Sequence, residues 1–256
     1  DEYPYLEDGF TSEVKSFSGY QLKSGVYNMY INREPRFYAS IGFSGCFWPC
    51  ASTSEAVKKN VYVYYWKGAS GYGASGKDKA VGSGDANNYP VTGYVMKKYV
   101  HNDDAWSGTD ATVLPKSFPI IRYAEILLGY AETLNELGDS KNAVKTVNLI
   151  RKRAGVGELD ENKNWNKDEL RQRIYKEYRV EFAFEDNRFF DARRWAKAEE
   201  WFSKPVYKVT VTGSLENPTY TRSLLEERIF LSKCYHFPIP QQEVDNSQNI
   251  EQNAGW

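Results

Sequence analysis

Three carboxylates at Glu177, Glu181 and Glu185 recur every four residues, and Arg188, Asp191 and Arg194 continue the stripe through the run "VEFAFEDNRFFDARRW". Residues four apart share one face of a helix, so six ionisable groups fall together on one side. Two chemistries fit such a stripe. Paired acids about 5 to 10 Å apart can cleave a glycosidic bond, one giving a proton and the other acting as base or nucleophile. Glu181 and Glu185, about one helical turn apart, lie near the lower end of that range. Alternatively the acids repel one another until cations neutralise them, and the stripe is a structural ion-pair network. Arg173, Arg179, Arg188, Arg193 and Arg194 are close enough in sequence to serve. Phe182, Phe184, Phe189, Phe190 and Trp195 interleave with the charges and indicate a helix wedged into the protein rather than a wet cleft, which favours the network of Glu177, Glu181, Glu185, Arg188, Asp191 and Arg194 over catalysis.

A second constellation is aromatic. Aromatic residues make up 16% of the chain, beyond ordinary core needs. Trp48, Tyr64, Trp66, Tyr72, Tyr89 and Trp106, with Asn87 and Asn88, gather in a segment rich in loops. Sugar rings stack on such faces while amides bond their hydroxyls, so these eight are the candidate glycan contacts. Tyr62 could join them, although packing of a strand and its loops is the competing account.

Other chemistries find little support. "GYGASGKD" matches G-x-G-x-x-G through Gly71, Gly73 and Gly76, yet the residues after it offer Gly and Asn instead of the helix whose N-terminus would hold a phosphate. Asp78 also stands where a magnesium-binding hydroxyl belongs. With two histidines, His101 and His236, and three cysteines, a zinc centre is not expected, and no nucleophile elbow is present; no cofactor or metal is expected. Cys46 and Cys50 in "CFWPC" are close enough for a local disulfide, though two ordinary thiols fit as well. A net charge of -1 supplies no field for nucleic acid or an anionic membrane, so neutral ligands are expected. No apolar run reaches the roughly 18 residues that a membrane span needs.

The elements that must position these groups divide near "VLPKSFPIIRY". Residues 1–116 form a loop-rich, aromatic-rich ligand-side segment, in which "NVYVYYWK" alternates as a strand and a long Gly- and Asn-rich loop runs from Gly68 to Gly93. Residues 117–256 are helical. Ala124, Leu127, Leu128, Ala131 and Leu134 make one stripe, Gly138-Asp139 breaks it, and Val144, Val147 and Ile150 begin another. Such a pair, roughly 34 residues long, looks like one tetratricopeptide unit, which usually needs neighbours to cover its faces. One long helix is then expected over Asp168 to Trp195, a strand at "PVYKVTVTG" and a closing coil from "HFPIPQQEV" to "QNAGW". The two segments are expected to be parts of one domain whose N-terminal half lies outside this chain.

In order, "REPRFYASIGFSG", "IIRYAEILLGYAETLNELGD", "VNLIRKRAGV", "YKEYRVEFAFEDNRFFDARRW", "FPIPQQEV" and "QNAGW" resemble the C-terminal region of SusD/RagB-type outer-membrane nutrient-binding lipoproteins. The resemblance implies a mainly α, SusD-like fold of tetratricopeptide-like helical pairs with a loop-rich segment and a few short strands. It also implies a non-enzymatic protein at the cell surface, tethered to the outer membrane by a lipid on an N-terminal portion not in this chain. Its expected partners are a glycan and a TonB-dependent, SusC-like transporter; a peptide ligand, as in RagB-type relatives, and a glycoside hydrolase are the alternatives.

Overall fold

The computed structural model describes residues 26–48, 91–104, 112–213 and 217–256, together with the backbone of short strands within 15–22, 61–65 and 74–75. Helix α1 spans Pro35–Ser40. The helical region that follows is built from α2 (Tyr123–Glu136), α3 (Ser140–Arg153) and α4 (Lys167–Glu181). Helix α2 buries Ala124, Leu128, Ala131 and Leu134, the stripe expected from its spacing, while Leu127 packs at the edge. The chain reverses at Gly138, whose φ of +86° is left-handed, and Asp139 caps α3 by accepting a hydrogen bond from the Asn142 amide at 3.2 Å. Helix α3 returns antiparallel and buries Ala143, Val144, Val147 and Ile150.

The third helix completes this layer. Leu170, Ile174 and Tyr178 on α4 close the same core, and Phe182 extends it. A Leu or Ile removed from water in this way contributes about 1.5 to 3 kcal/mol. Two buried asparagines hold the connections. Asn135 donates to the Lys167 carbonyl at 3.0 Å, and Asn148 exchanges two hydrogen bonds with the Leu159 backbone at 2.8 and 2.9 Å. The opposite face of α2 keeps Tyr123, Ile126 and Tyr130 exposed.

The long helix expected over Asp168 to Trp195 is two helices. Helix α4 stops at Glu181, and α5 covers Asn187–Arg194, followed by α6 at Ala198–Phe202. Phe184 and Asp186 between them have φ of +66° and +61°, a conformation that ends a helix and redirects the chain. Trp195 then folds back to stack on Tyr175 at 3.8 Å between ring centres.

The loop-rich segment has its own core of Val26, Tyr27, Tyr30, Ile31, Tyr38, Phe43 and the fully buried Cys46. Tyr38 donates to the Tyr30 carbonyl at 2.6 Å. Strands within it are short: β1 Lys15–Phe17 with β2 Tyr20–Leu22, β3 Ile41–Gly42 with β7 Val95–Met96, and β4 Cys46–Trp48 with β5 Val61–Tyr65, all antiparallel. Strand β6, Ala74–Ser75, pairs parallel with β5, so part of "GYGASGKD" is extended. Cys50 and most of the Gly68–Gly93 stretch lie outside the described residues.

A hairpin from the second segment packs onto the core of the first. The expected strand at "PVYKVTVTG" is β8 (Val206–Gly213), paired antiparallel with β9 (Pro218–Glu226). Val209, Val211 and Tyr220 of this hairpin pack against Met29 and Tyr94, and Tyr220 stacks on Tyr27 at 4.2 Å. Gly93 makes the joint: the Val209 amide donates to the Thr92 carbonyl at 3.0 Å, and a Cβ on Gly93 would lie 2.2 Å from the Val209 carbonyl oxygen. The closing segment carries a short helix, α7 (Gln241–Asn246), and its last residue is pinned, the Trp256 indole donating to the carbonyls of Lys233 and His236 at 3.1 and 3.0 Å.

Candidate functional site: a buried carboxylate cluster and the aromatic ligand side

Glu177 and Glu181 project from the inward face of α4, one turn apart, and Glu185 lies just beyond the helix end. Glu177 accepts from Arg36 at 2.7 Å and from Arg151 at 2.8 Å. Glu181 accepts from Arg153 at 2.6 Å, Arg122 at 2.9 Å and Arg36 at 3.1 Å. Glu185 takes a forked pair from Arg122 at 2.7 and 2.9 Å and an ion pair from Lys98. Arg36 also grips Glu34 with two bonds of 3.0 Å. Five cations drawn from 36 to 153 thus converge on three acids, and two-pronged guanidinium–carboxylate bonds are the strongest of these contacts.

The same cations end the helix. Lys98 donates to the carbonyls of Glu181 and Ala183 at 3.2 and 3.0 Å, and Arg122 donates to the Glu181 carbonyl at 3.2 Å. Those carbonyls are orphaned where α4 stops, and cations suit a helix C-terminus. The helix break and the ion cluster are therefore one construction.

This arrangement opposes acid catalysis. Burial raises the Glu181 pKa, but hydrogen bonds from Arg122 and Arg36 outweigh it and hold the carboxyl below its ordinary range. A glycosidase's proton donor needs the reverse, a carboxyl kept protonated near neutral pH.

The remaining members of the sequence stripe go elsewhere, because the break at 182–186 takes α5 off the line of α4. Buried Asp191 accepts from Arg194 at 2.9 Å, and Arg194 makes two bonds of 2.8 Å with Glu132 on α2, which also accepts from the Trp195 indole at 2.7 Å. Asp191 has its pKa raised chiefly by burial. Arg188 joins neither group; it lies over the Trp201 ring at 3.8 Å. The single six-member network expected from spacing is thus two networks and an outlier. Sequence reasoning missed Arg36, Lys98, Arg122, Arg151 and Arg153 because their separations from the acids run from 26 to 145 residues. Four of them lie in or beside the family-like motifs "REPRFYASIGFSG", "IIRYAEILLGYAETLNELGD" and "VNLIRKRAGV", which was the available signal.

On the ligand side, Trp48 ends β4, is half-buried against the first-segment core, and has the Lys97 ammonium 6.0 Å from its ring centre. Lys97 is anchored by the carbonyls of Phe47 and Tyr38 at 3.0 and 3.3 Å. Tyr64 is placed on β5 opposite Ala74, by its backbone alone. Trp66, Tyr72, Asn87, Asn88, Tyr89 and Trp106 lie outside the described residues. Between the first segment and α4 opens a cleft of about 640 Å³, walled by Met29, Phe37, Tyr94 and Val95 on one side and by Lys176 and Arg179 on the other. Among the described residues no cluster of His, Cys, Asp and Glu is arranged to hold a metal ion, and no helix is long and apolar enough to cross a membrane.

Comparison with known proteins decides the lineage: the model of the SusD family matches residues 2–256. The chain belongs to the SusD family. A SusD-like protein from Bacteroides fragilis NCTC 9343 superposes with a TM-score of 0.70 at 31% identity, covering 89% of this chain and 40% of that one. A second protein of that organism, described as a SusD-like carbohydrate binding protein, superposes at 0.57 with 25% identity, covering 85% of this chain and 41% of that one. The SusD-like protein P2 of Formosa agariphila is 33% identical over 143 residues, 53% of this chain and 25% of that protein. This SusD-family chain therefore spans between a quarter and about two fifths of the length of these relatives. Its mainly helical architecture, with seven α-helices and short strands among the described residues, is that of the SusD-like structures.

Proposed function

We propose that this protein binds a glycan at the cell surface and does not cleave it, as the ligand-capturing component of a TonB-dependent nutrient-uptake complex. The observation that carries this reading is the SusD-family match across residues 2–256, joined by the likeness to a SusD-like carbohydrate binding protein. The chemistry of the carboxylates supports the non-enzymatic part, since the acids best spaced for hydrolysis are occupied by Arg36, Arg122, Arg153 and Lys98.

In this reading Trp48, Tyr64, Trp66, Tyr72, Tyr89 and Trp106 offer stacking faces, and Asn87 and Asn88 bond sugar hydroxyls. Trp48 is suited to this, being half-buried on a fixed strand with a cation beside its ring. The helical layer serves as scaffold and as the side that meets a SusC-like transporter barrel, with the protein held at the outer membrane by a lipid anchor.

Calorimetric titration against a panel of glycans and mixed oligopeptides, followed by an assay for reducing ends, tests the reading. Saturable glycan binding with no new reducing ends is the expected result. Binding to peptides alone would replace the ligand class, and release of reducing ends would overturn the non-enzymatic assignment.

A further inference from the structure

The buried cluster has a counterpart on the other side of α4. With Glu177, Glu181 and Glu185 consumed inside, the outward side of the same stretch presents Lys176 and Arg179, both exposed, and half-buried Arg188 past the break. Among the described residues none of these three makes a side-chain hydrogen bond or ion pair, whereas Arg36, Arg122, Arg151, Arg153 and Arg194 all do. Their positions are mutually unfavourable. The Lys176 pKa is lowered by burial and then by Arg179, against a smaller pull from Glu177, and that of Arg188 falls to about 10 by burial and then Arg179, against a smaller pull from Asp191. Arg179 therefore lies close enough to both to repel them.

Space for a ligand adjoins this ridge on both sides. Lys176 and Arg179 line the 640 Å³ cleft against the first segment, and Arg179 and Arg188 line a second cleft of about 530 Å³ beyond the end of α4. Phe184, held out at a left-handed φ of +66° and 45% exposed, borders both. The acids at the rims are mostly engaged, Glu34 and Glu177 by Arg36 and Asp191 by Arg194, leaving exposed Asp186 as the negative group nearest the ridge in sequence.

We propose that Lys176, Arg179 and Arg188 hold the carboxylate or sulfate groups of an acidic glycan laid along this ridge, with Phe184 beneath one of its sugar rings. The proposal rests on the glycan-binding reading and narrows it to charged polysaccharides. It departs from the neutral ligand suggested by the net charge of -1, because a whole-chain balance does not register three cations gathered on one ridge. Guanidinium groups match carboxylate and sulfate oxygens in two-pronged fashion, and an anion between like charges relieves their repulsion.

The test is titration of the full chain with an oligogalacturonate, a sulfated oligosaccharide and a neutral malto-oligosaccharide, repeated at raised salt and with Arg179→Gln, an exposed change whose thermal midpoint is checked alongside. An acidic ligand should bind about tenfold or more tighter than the neutral one, and Arg179→Gln and added salt should each remove about that factor from the acidic ligand alone. The two acidic arms separate carboxylate from sulfate. Neutral binding equal to or tighter than acidic, or acidic binding indifferent to Arg179→Gln, would overturn the ridge and leave glycan binding standing; no binding of any of the three would overturn both.

Discussion

The two sides of helix α4 carry opposite charge to opposite ends. Inward, Glu177 and Glu181 meet four arginines brought from as far away as residue 36, and every charge there has a partner. Outward, Lys176 and Arg179 stand over a cleft with no ion-pair partner among the described residues. The difference teaches that a dense charge pattern in sequence does not reveal which of its members are available; partners from remote segments decide that. Buried groups that neutralise one another fix a frame, whereas exposed unpaired ones remain able to bind.

The largest effect should come from the inward side. Arg36→Met leaves Glu34, Glu177 and Glu181 short of a shared cation, and removing one partner of a buried ion pair costs about 3 kcal/mol, read by urea unfolding. A loss under about 1 kcal/mol would mean that the cluster is well hydrated. Next is the joint between the two segments, where Gly93→Ala meets both a φ of +81° and the Val209 carbonyl; roughly 2 kcal/mol should be lost, with β8 amides exchanging faster with solvent.

Acid provides a graded version of the same contrast. The Glu181 pKa is depressed below its ordinary value near 4.5, so its contribution is fully present above that pH and disappears as pH falls through the folded-state value. Wild-type stability should therefore drop below about pH 4.5, and Glu181→Gln should flatten that slope when unfolding is measured between pH 7 and 3. The smallest effect is at the surface. Arg171 grips Glu136 at 2.6 and 2.8 Å, and Glu136 titrates at about 2 chiefly because of that arginine, yet both are solvent-screened. Arg171→Ala should cost under about 1 kcal/mol in the same assay.

The helical hairpin was legible in the sequence because its determinants are local: a 3.6-residue apolar stripe, Gly138 to reverse the chain and Asp139 to cap the next helix. The break at 182–186 was not, since Ala183, Phe184 and Glu185 include no Gly or Pro and keep helical spacing. It is set by Lys98 and Arg122, which bond the carbonyls that a continuing helix would have used. Strand β9 was missed for a related reason: Pro218–Glu226 has weak apolar alternation and gains its place by pairing with β8 and stacking Tyr220 on Tyr27. The acids of the cluster could be named from spacing, but their cations could not. Of the aromatic ligand set, only Trp48 falls among residues whose side chains are described.

The measurement that tests the frame most directly is urea unfolding of Glu181→Gln beside Arg179→Gln, two single-charge changes two residues apart on one helix. The account predicts a loss of about 3 kcal/mol for the first and less than about 0.5 kcal/mol for the second. Equal losses, or a Glu181→Gln protein as stable as the wild type, would contradict the assignment of the inward carboxylates to the frame.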